Sequence, residues 1–374
     1  MKSCFLSILI LVPTLSAQPT GEESSARGAR MPRIRVSGDG ARFVTSSGER
    51  FVPWGFNYDH DRDGRLIEDY WEEDWASVAS DFEEMKELGA NVVRVHLQVG
   101  RFLKSPEEAE AKSLARLKKL LVLAERVGLY LDLTGLGCYH ADDVPEWYDT
   151  LEEEARWEAQ STFWEAIAKA CAESPAVFCY DLMNEPILPG KDKPEESWLA
   201  GDFGGKHFVQ RIALDLKGRT KEQVARAWIE KLTSAIRKHD AERLITIGVI
   251  PWALVFPGAK PLFHGKGVGD ALDFVSVHFY PNAGEVEKAV EALRVYDLGK
   301  PLVVEETFPL KCSPQELESF IEQSSEISDG WIGFYWGETI VELEKKNDIG
   351  ASLMRQWLEL FKRLGPARSK GADR

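Results

Sequence analysis

The chain has 374 residues, of which 44% are hydrophobic and 10% aromatic, so it is long enough to bury a large core. Its formal net charge of -15 excludes the basic surface that nucleic-acid binding requires and disfavours binding to an anionic membrane surface. Five cysteines, without a Cys/His spacing suited to zinc, give no indication of a metal centre.

The N-terminus has the pattern of a secretory signal peptide. Lys2 precedes a short apolar run, and small residues up to Ala17 precede the expected cut. The apolar run is too short to remain in a bilayer as a permanent anchor. We therefore predict a signal peptide over residues 1–17, a disordered leader over 18–33, and a secreted or periplasmic protein without membrane contact after processing.

Strand and helix patterns alternate along the rest of the chain. Residues 34–36 and 42–44 flank a Gly-containing turn and predict a hairpin that plugs the bottom of a barrel. The strand patterns that follow are apolar nearly throughout, as in strands buried on both faces of a parallel sheet. Eight strands are predicted at residues 51–57, 91–97, 129–134, 177–183, 244–249, 273–279, 302–306 and 331–336.

Eight strands that alternate with helices predict an α/β protein, a single (β/α)8 TIM barrel with an N-terminal β-hairpin, over residues 34–365. A flexible tail is expected over residues 366–374. A doubly wound sheet would require a Gly-rich phosphate loop after the first strand, and the sequence has none. Residues 187–220 form a long insertion after the fourth strand, which we interpret as one wall of a cleft.

Glutamates at the C-terminal ends of two predicted strands are the main candidates for chemistry. Glu185 ends an apolar strand and precedes Pro186, so it must point into the barrel mouth or be buried at a high cost. Glu305 and Glu306 end the seventh strand. Adjacent strand residues face opposite ways, so only one of these two can face the mouth, and alternation does not say which. Two carboxylates that face each other across such a mouth are the groups with which glycosidases cleave a glycosidic bond.

Further polar and aromatic residues accompany these glutamates. Arg94 lies in a strand buried on both faces and needs a carboxylate partner, which a glutamate from a neighbouring barrel position would supply. His278 and Tyr280 share one face of the sixth strand, and Tyr280 is placed to donate to a carboxylate. Asn184 is a candidate for binding a substrate hydroxyl. Trp336 ends the eighth strand, and its ring is a candidate for stacking against a sugar. Core packing is the alternative for this tryptophan.

The four cysteines that follow the predicted signal peptide leave their redox state open. They are Cys138, Cys171, Cys179 and Cys312. A disulfide between Cys171 and Cys179 and free buried cysteines are equally compatible with the sequence.

Taken in order, these motifs resemble glycoside hydrolase family 5, the retaining cellulases and β-mannanases with barrel folds. The resemblance spans roughly the whole barrel. It rests on Trp54-Gly55-Phe56-Asn57 on the first strand, Arg94 on the second, Asn184-Glu185-Pro186 on the fourth, His278 and Tyr280 on the sixth, a glutamate on the seventh and Trp336 on the eighth. It implies that Glu185 is the acid/base and the strand-seven glutamate the nucleophile. The family spacing, counted from Pro301, selects Glu306.

Two departures from the family pattern are present. Thr307-Phe308 replaces the aromatic-Gly pair that usually follows the nucleophile. Thr134 stands on the third strand where many cellulase-like members carry a histidine, and His140 in the next loop is a candidate substitute. In lacking a histidine on the third strand, the sequence resembles the β-mannanases of the family more than the cellulases.

The expected function is a retaining β-glycoside hydrolase of the endo-β-mannanase or endoglucanase type. It would cleave β-linked polysaccharide or oligosaccharide, β-mannan or β-glucan, by double displacement as a monomer, with no metal or organic cofactor. A non-catalytic carbohydrate-binding barrel is the first alternative, although it would have lost a carboxylate. A transglycosylase of the same family is the second, and it differs only in acceptor access.

Overall fold

The computed structural model describes residues 31–369. The predicted signal peptide over residues 1–17 and most of the predicted leader therefore lie outside the described residues. Residues 31–33 precede the first strand and have no regular secondary structure. The last helix, Ile349–Ser369, includes residues 366–369, so this part of the expected tail is helical.

The central sheet is parallel and forms a barrel of eight strands, which we number β1 to β8 in chain order. Consecutive strands pair side by side, and β8 pairs with β1. The predicted (β/α)8 barrel is thereby confirmed. The strands are β1 Trp54–Tyr58, β2 Val92–Gln98, β3 Tyr130–Gly137, β4 Val177–Asp181, β5 Leu244–Thr246 with Gly248–Val249, β6 Val275–His278, β7 Leu302–Glu306 and β8 Gly330–Phe334.

Strand β5 closes the barrel in two parts that meet at Ile247. Its first part pairs with β4 and its second part pairs with β6, where Gly248 lies opposite Ser276. The carbonyl of Ile247 accepts a hydrogen bond from Nε2 of His264 at 2.9 Å. The barrel is therefore closed by the covalent chain of β5, which passes from β4 to β6. The ladder of backbone hydrogen bonds is interrupted at Ile247.

Helices surround the barrel and begin and end at recognisable signals. Gly128, with a φ of 76°, ends one helix in the left-handed conformation, and Ser313 and Glu316 form a reciprocal capping box at the start of another. No helix in the described part of the chain is both long and apolar enough to span a bilayer. The longer helices are Trp75–Glu87, Ala111–Val127, Glu153–Cys171, Lys221–Arg237, Val286–Arg294, Pro314–Ser324 and Ile349–Ser369. Short ones are Ile67–Tyr70, Val99–Phe102, Ala141–Asp143 (a 3-10 turn), Glu146–Asp149, Trp252–Val255 and Ile340–Leu343.

Three small sheets lie outside the barrel. The predicted N-terminal hairpin forms one of them, and Phe43 from it packs edge-on against Phe178 and Phe274, with ring centroids 5.3 and 5.1 Å away. The hairpin therefore plugs the bottom of the barrel. In the first small sheet, Phe43–Thr45 is the middle strand and pairs with Ile34–Val36 on one side and Arg50–Phe51 on the other. The other two sheets pair Leu103–Ser105 with Glu108–Ala109 and Pro186–Ile187 with Gln210–Arg211.

The barrel interior is layered. The bottom layer is apolar and joins the hairpin in one buried cluster, which includes Val92, Tyr130, Phe178, Leu244, Phe274, Val303 and Ile332. Two residues further along several of the same strands, the inward positions are polar, and every one of them is fully buried: Arg94, Asp132, Thr246, Ser276 and Glu305. Buried charges need partners, so this polar layer forms a connected base beneath the barrel mouth.

All four cysteines of the described residues are free, so the alternative disulfide between Cys171 and Cys179 is not formed.

Candidate active site

Arg94 is the centre of the polar layer. Its Nη1 donates to Oε1 of Glu306 at 2.7 Å and to Oδ1 of Asn57 at 2.9 Å. Its Nη2 donates to Oδ2 of Asp181 at 2.7 Å and to Oδ1 of Asn184 at 2.9 Å. A buried guanidinium is stable only when such acceptors surround it. Arg94, on β2, thus links β1, the end of β4 and β7, and it holds the carboxylate of Glu306 in one orientation.

A β-bulge separates the two consecutive glutamates of β7. Val277 of β6 lies opposite Val304, but the next residue, His278, lies opposite Glu306, so Glu305 is the extra residue. Both glutamates therefore face the barrel axis at different depths. Glu306 reaches the cavity at the mouth, whereas Glu305 is fully buried below it. Simple alternation along the strand could not have placed both side chains on this side.

Glu185 lies beyond the end of β4 in a strained conformation. Its φ is 47°, a left-handed value that is uncommon for a residue with a β-carbon and that costs roughly 1–3 kcal/mol. Its backbone N–H donates to the carbonyl of Gly248 at 2.9 Å, which fixes the turn. Pro186 then begins a short strand outside the barrel. The turn directs the Glu185 side chain towards the barrel axis.

His278 lies between the glutamates. Its Nδ1 donates to Oε1 of Glu185 at 2.9 Å and is 3.4 Å from Oε2 of Glu306, while its Nε2 is 3.5 Å from Oε2 of Glu305. Burial lowers the pKa of His278, but the surrounding carboxylates, Glu306 first, raise it to about 10. The ring is therefore an imidazolium at neutral pH, and it neutralises part of the negative charge of the site.

Tyr280 completes the contacts of Glu306. Its hydroxyl donates to Oε2 of Glu306 at 2.6 Å. Burial raises the pKa of Tyr280 well above its ordinary value, and the charge of Glu306 raises it further, so the hydroxyl keeps its proton. Each oxygen of Glu306 thus has its own donor, Arg94 for one and Tyr280 for the other.

Three buried carboxyl groups lie below the cavity. Burial would raise the pKa of Glu305, but Arg94 and His278 overcome this effect and lower it to about 2. Burial and the charge of Glu305 raise the pKa of Asp132 well above its ordinary value. The same two causes raise the pKa of Asp181 to about 6. Glu305 is therefore ionised and Asp132 protonated, which limits the negative charge that Arg94 and His278 must balance.

Two sets of side chains are close enough to chelate a metal, and both already contain a cation. Glu185, His278 and Glu306 each offer a ligand atom within 4.8 Å of the others, but the nitrogen of His278 on this side donates to Glu185. Asp132, Asp181 and Glu305 form the second set, in which Arg94 bonds Asp181 at 2.7 Å. A metal would have to displace a positive group in either place.

A cavity of about 580 Å³ opens above these groups. Its volume is within the range of roughly 300–1,000 Å³ that is typical of small-molecule sites. Trp336 lies in its wall, donates from Nε1 to Asp59 at 3.3 Å, and stacks on His60 with ring centroids 5.3 Å apart. The lining residues include Asp59, His60, His96, Asn184, Glu185, Phe203, Lys206, Phe208, Tyr280, Glu306, Phe308 and Trp336.

The structure brings the sequence-predicted residues together around this cavity. Asn184, Glu185, Tyr280, Glu306 and Trp336 line it, while Arg94 and His278 support the glutamates from below. The insertion over residues 187–220 contributes residues between Gly201 and Val209 to the wall.

Other lining residues were not selected from the sequence. His96 lies two positions after Arg94 and so shares its face of β2, which is the signal that could have identified it. Asp59 and His60 follow the first strand, where polar loop residues are too common to single out. His140, the candidate substitute for the missing strand-three histidine, lies instead 3.9 Å from Asp69 on the protein surface.

Comparisons with known proteins identify a family for most of the chain. The family model described as Cellulase (glycosyl hydrolase family 5) matches residues 47–338. A search of curated proteins finds no match.

Several solved structures share the fold. An exo-beta-1,4-mannosidase from Opitutaceae bacterium strain TAV5 superposes with a TM-score of 0.64 at 18% identity, over 90% of this chain and 62% of that chain. A beta-1,4-mannanase from the sea hare Aplysia kurodai gives 0.60 at 16% identity, over 91% and 98% of the two chains. The catalytic domain of a Thermobifida fusca endoglucanase gives 0.57 at 17% identity, over 89% and 97%. The chain thus spans less than two thirds of the mannosidase, and identities this low establish the fold alone.

Proposed function

The chain belongs to glycosyl hydrolase family 5, and on this basis we propose that it hydrolyses β-linked glycans with retention of configuration, using Glu185 and Glu306. Membership of the family makes it an O-glycosyl hydrolase. The retaining mechanism, the roles of individual residues, the substrate and export from the cell are parts of the proposal.

The separation of the two carboxylates carries the proposal. One oxygen of Glu185 and one of Glu306 lie within 4.8 Å of each other. Retaining glycosidases hold their carboxyl groups roughly 5–5.5 Å apart, whereas inverting enzymes need roughly 6.5–9.5 Å to admit a water molecule between sugar and base. The observed spacing leaves room for a direct attack on the sugar and favours double displacement.

Glu306 is suited to act as the nucleophile because both of its oxygens are held by donors. Arg94 contacts Oε1 at 2.7 Å and Tyr280 contacts Oε2 at 2.6 Å. These contacts restrict rotation of the carboxylate. In the first step, Glu306 forms a bond to the anomeric carbon while the bond from that carbon to the leaving oxygen breaks.

Glu185 is suited to supply and then remove a proton. The imidazolium of His278 donates to its Oε1, which leaves Oε2 to carry the proton. That proton passes to the leaving oxygen as the electron pair of the glycosidic bond arrives there. In the second step, Glu185 takes a proton from water, which attacks the anomeric carbon and releases Glu306.

The substrate class follows from the walls of the cavity. The aromatic rings of Trp336, Phe208 and Phe308 line it beside polar groups, an arrangement suited to the apolar faces and hydroxyl rims of neutral sugars. We propose β-mannan or β-glucan chains and their oligosaccharides. The predicted signal peptide, which lies outside the described residues, places the enzyme outside the cytoplasm in this proposal.

Substitution of the two glutamates tests the proposal on aryl β-mannosides and β-glucosides and on the two polysaccharides. We expect Glu306→Gln to lose activity on all substrates. Glu185→Gln should lose far more activity on polysaccharide than on an aryl glycoside whose phenol leaves without a proton. The matched control is Glu196→Gln, at an exposed position of the insertion, which should behave as wild type.

Three results would contradict the proposal. Unchanged polysaccharide turnover by Glu185→Gln would remove its role as acid, and wild-type binding of glycans without any turnover would favour a carbohydrate-binding barrel. The anomeric configuration of the first product, followed by proton NMR, should be β, and an α product would rule out retention. Added acceptor sugars would reveal transfer in place of hydrolysis.

A further inference from the structure

The insertion after β4 ends in a tight hairpin over the cavity. The backbone groups of Phe203 and Lys206 bond each other in both directions, at 2.9 and 3.2 Å. The two residues between them, Gly204 and Gly205, have φ values of 60° and 78°, as a two-residue hairpin turn of the I′ type requires. The next residue, His207, donates to a carbonyl of the loop after β3 at 2.9 Å. The hairpin tip is therefore held in place from both sides.

Lys206 extends from this hairpin tip across the cavity. The residue is only 8% exposed, although its chain neighbours in the turn are exposed. A β-carbon added at Gly64, in the loop after β1, would lie 3.2 Å from the Lys206 Nζ. The side chain thus reaches from the insertion after β4 to the loop after β1.

The amine of Lys206 has no carboxylate partner within 4.0 Å among residues 31–369. It nevertheless lines the same cavity as Glu185 and Glu306. The donors of this amine are therefore free for other acceptors, and substrate hydroxyls can provide them. The position of Lys206 is therefore suited to contact with a bound sugar.

A separate groove of about 400 Å³ begins at Pro186, the residue that follows Glu185. It is lined by residues that follow β5, among them Trp252 and Phe256, which stack with ring centroids 5.9 Å apart. These two rings are 44% and 58% exposed, so the groove is open to solvent along an aromatic surface.

The sugar that becomes bonded to Glu306 must lie in the cavity that Glu306 itself lines, which also holds Trp336 and Lys206. The groove that begins at Pro186 remains for the leaving part of the chain, which must depart before water can attack.

We propose that the hairpin tip, through Lys206, closes the glycone end of the cavity, so that the enzyme removes sugars from the non-reducing ends of chains. This inference rests on the proposed hydrolytic function. The Lys206 amine would donate to a free hydroxyl of the terminal ring. In the interior of a polysaccharide that oxygen carries a further sugar, which would collide with the bridge between Lys206 and Gly64.

Product analysis with β-1,4-linked mannopentaose and cellopentaose, each labelled at the reducing end, tests this directly. Turnover of aryl glycosides in the same preparation first establishes that the proposed hydrolysis occurs, so failure of that function is recognised separately. We expect labelled products that shorten by one sugar at a time. Early labelled products from internal bonds would overturn the proposal.

Two substitutions separate the volume of Lys206 from its charge. Lys206→Ala should lower kcat/KM on the labelled oligosaccharides by about tenfold or more, because a charged donor is lost, and should increase the share of internal cleavage. Lys206→Met should show the lower kcat/KM but retain end-specific products, because its side chain still fills the gap. Lys193→Ala, at an exposed position of the same insertion, is the control and should match wild type. Wild-type efficiency and products for Lys206→Ala would refute the assignment.

Discussion

Replacing Glu305 by glutamine should destabilise the protein without touching the cavity. The side chain is fully buried, with Oε2 at 3.6 Å from Nη2 of Arg94 and 3.5 Å from Nε2 of His278. Glutamine preserves the shape but removes the charge that these two cations face. We expect the free energy of unfolding at pH 7 to fall by about 3 kcal/mol.

Two independent routes give this magnitude. Burial opposes ionisation of Glu305, but Arg94 and His278 lower its pKa from 4.5 to about 2. At about 1.4 kcal/mol for each pKa unit, this difference corresponds to about 3–4 kcal/mol. Removal of one partner from a buried ion pair typically costs about 3–5 kcal/mol, and the lower end applies because Arg94 keeps Asp181 and Glu306.

The pH dependence has a defined sign. Because the pKa of Glu305 is lower in the folded protein, its stabilisation is complete above pH 4.5 and is lost as the pH falls towards 2. The difference between wild type and Glu305→Gln should therefore be largest at pH 7 and less than half as large near pH 3. Urea unfolding followed by tryptophan fluorescence at the two pH values measures both quantities.

Glu306→Gln is the matched variant for this comparison. Its side chain is 13% exposed, and a glutamine oxygen can still accept from Arg94, so its effect on stability should be smaller. Its loss of activity should exceed that of Glu305→Gln by orders of magnitude. The reasoning would be refuted if Glu305→Gln were as stable as wild type at pH 7. It would also be refuted if Glu305→Gln lost more activity than Glu306→Gln.

Two further predictions concern groups around the glutamates. Tyr280→Phe removes the donor 2.6 Å from Glu306 and should lower kcat on aryl glycosides by about 10- to 100-fold, with little change in Tm; an unchanged kcat would show that the contact is dispensable. Gly248→Ala would bring a β-carbon to 2.5 Å from Nε2 of His278, so we expect loss of activity and a stability loss of about 1–3 kcal/mol by overpacking. Gly38→Ala, where an added β-carbon meets nothing within 4 Å, is its control in both assays, and equal behaviour of the two variants would contradict the packing at the site.

The barrel could be predicted from the sequence because its signals are local. Strands buried on both faces are apolar at consecutive positions, and the helices between them begin and end at capping residues such as Ser313 and Gly128. The exact extent of β5 could not be predicted, because its interruption at Ile247 depends on a hydrogen bond from His264, which lies in a distant loop.

Part of the candidate site was also accessible from the sequence. Charged residues in otherwise apolar strands, such as Arg94 and Glu185, stand out because burial without partners is costly. The depth of Glu305 below Glu306 depends on a bulge in the pairing of two strands, which no single strand reveals. The contact of Lys206 with the loop after β1 depends on how a long insertion folds back, and neither periodicity nor turn chemistry specifies that path.

Gly248 couples the two sides of the reaction centre mechanically. Its carbonyl accepts from the N–H of Glu185, its N–H donates to Asp181 at 2.9 Å, and its strand segment pairs with β6 at Ser276, two positions before His278. A displacement of this one residue would move Glu185, the proposed proton donor, and His278 together. The spacing of these two residues is therefore set by main-chain geometry, and the backbone positions are preserved when individual side chains change rotamer.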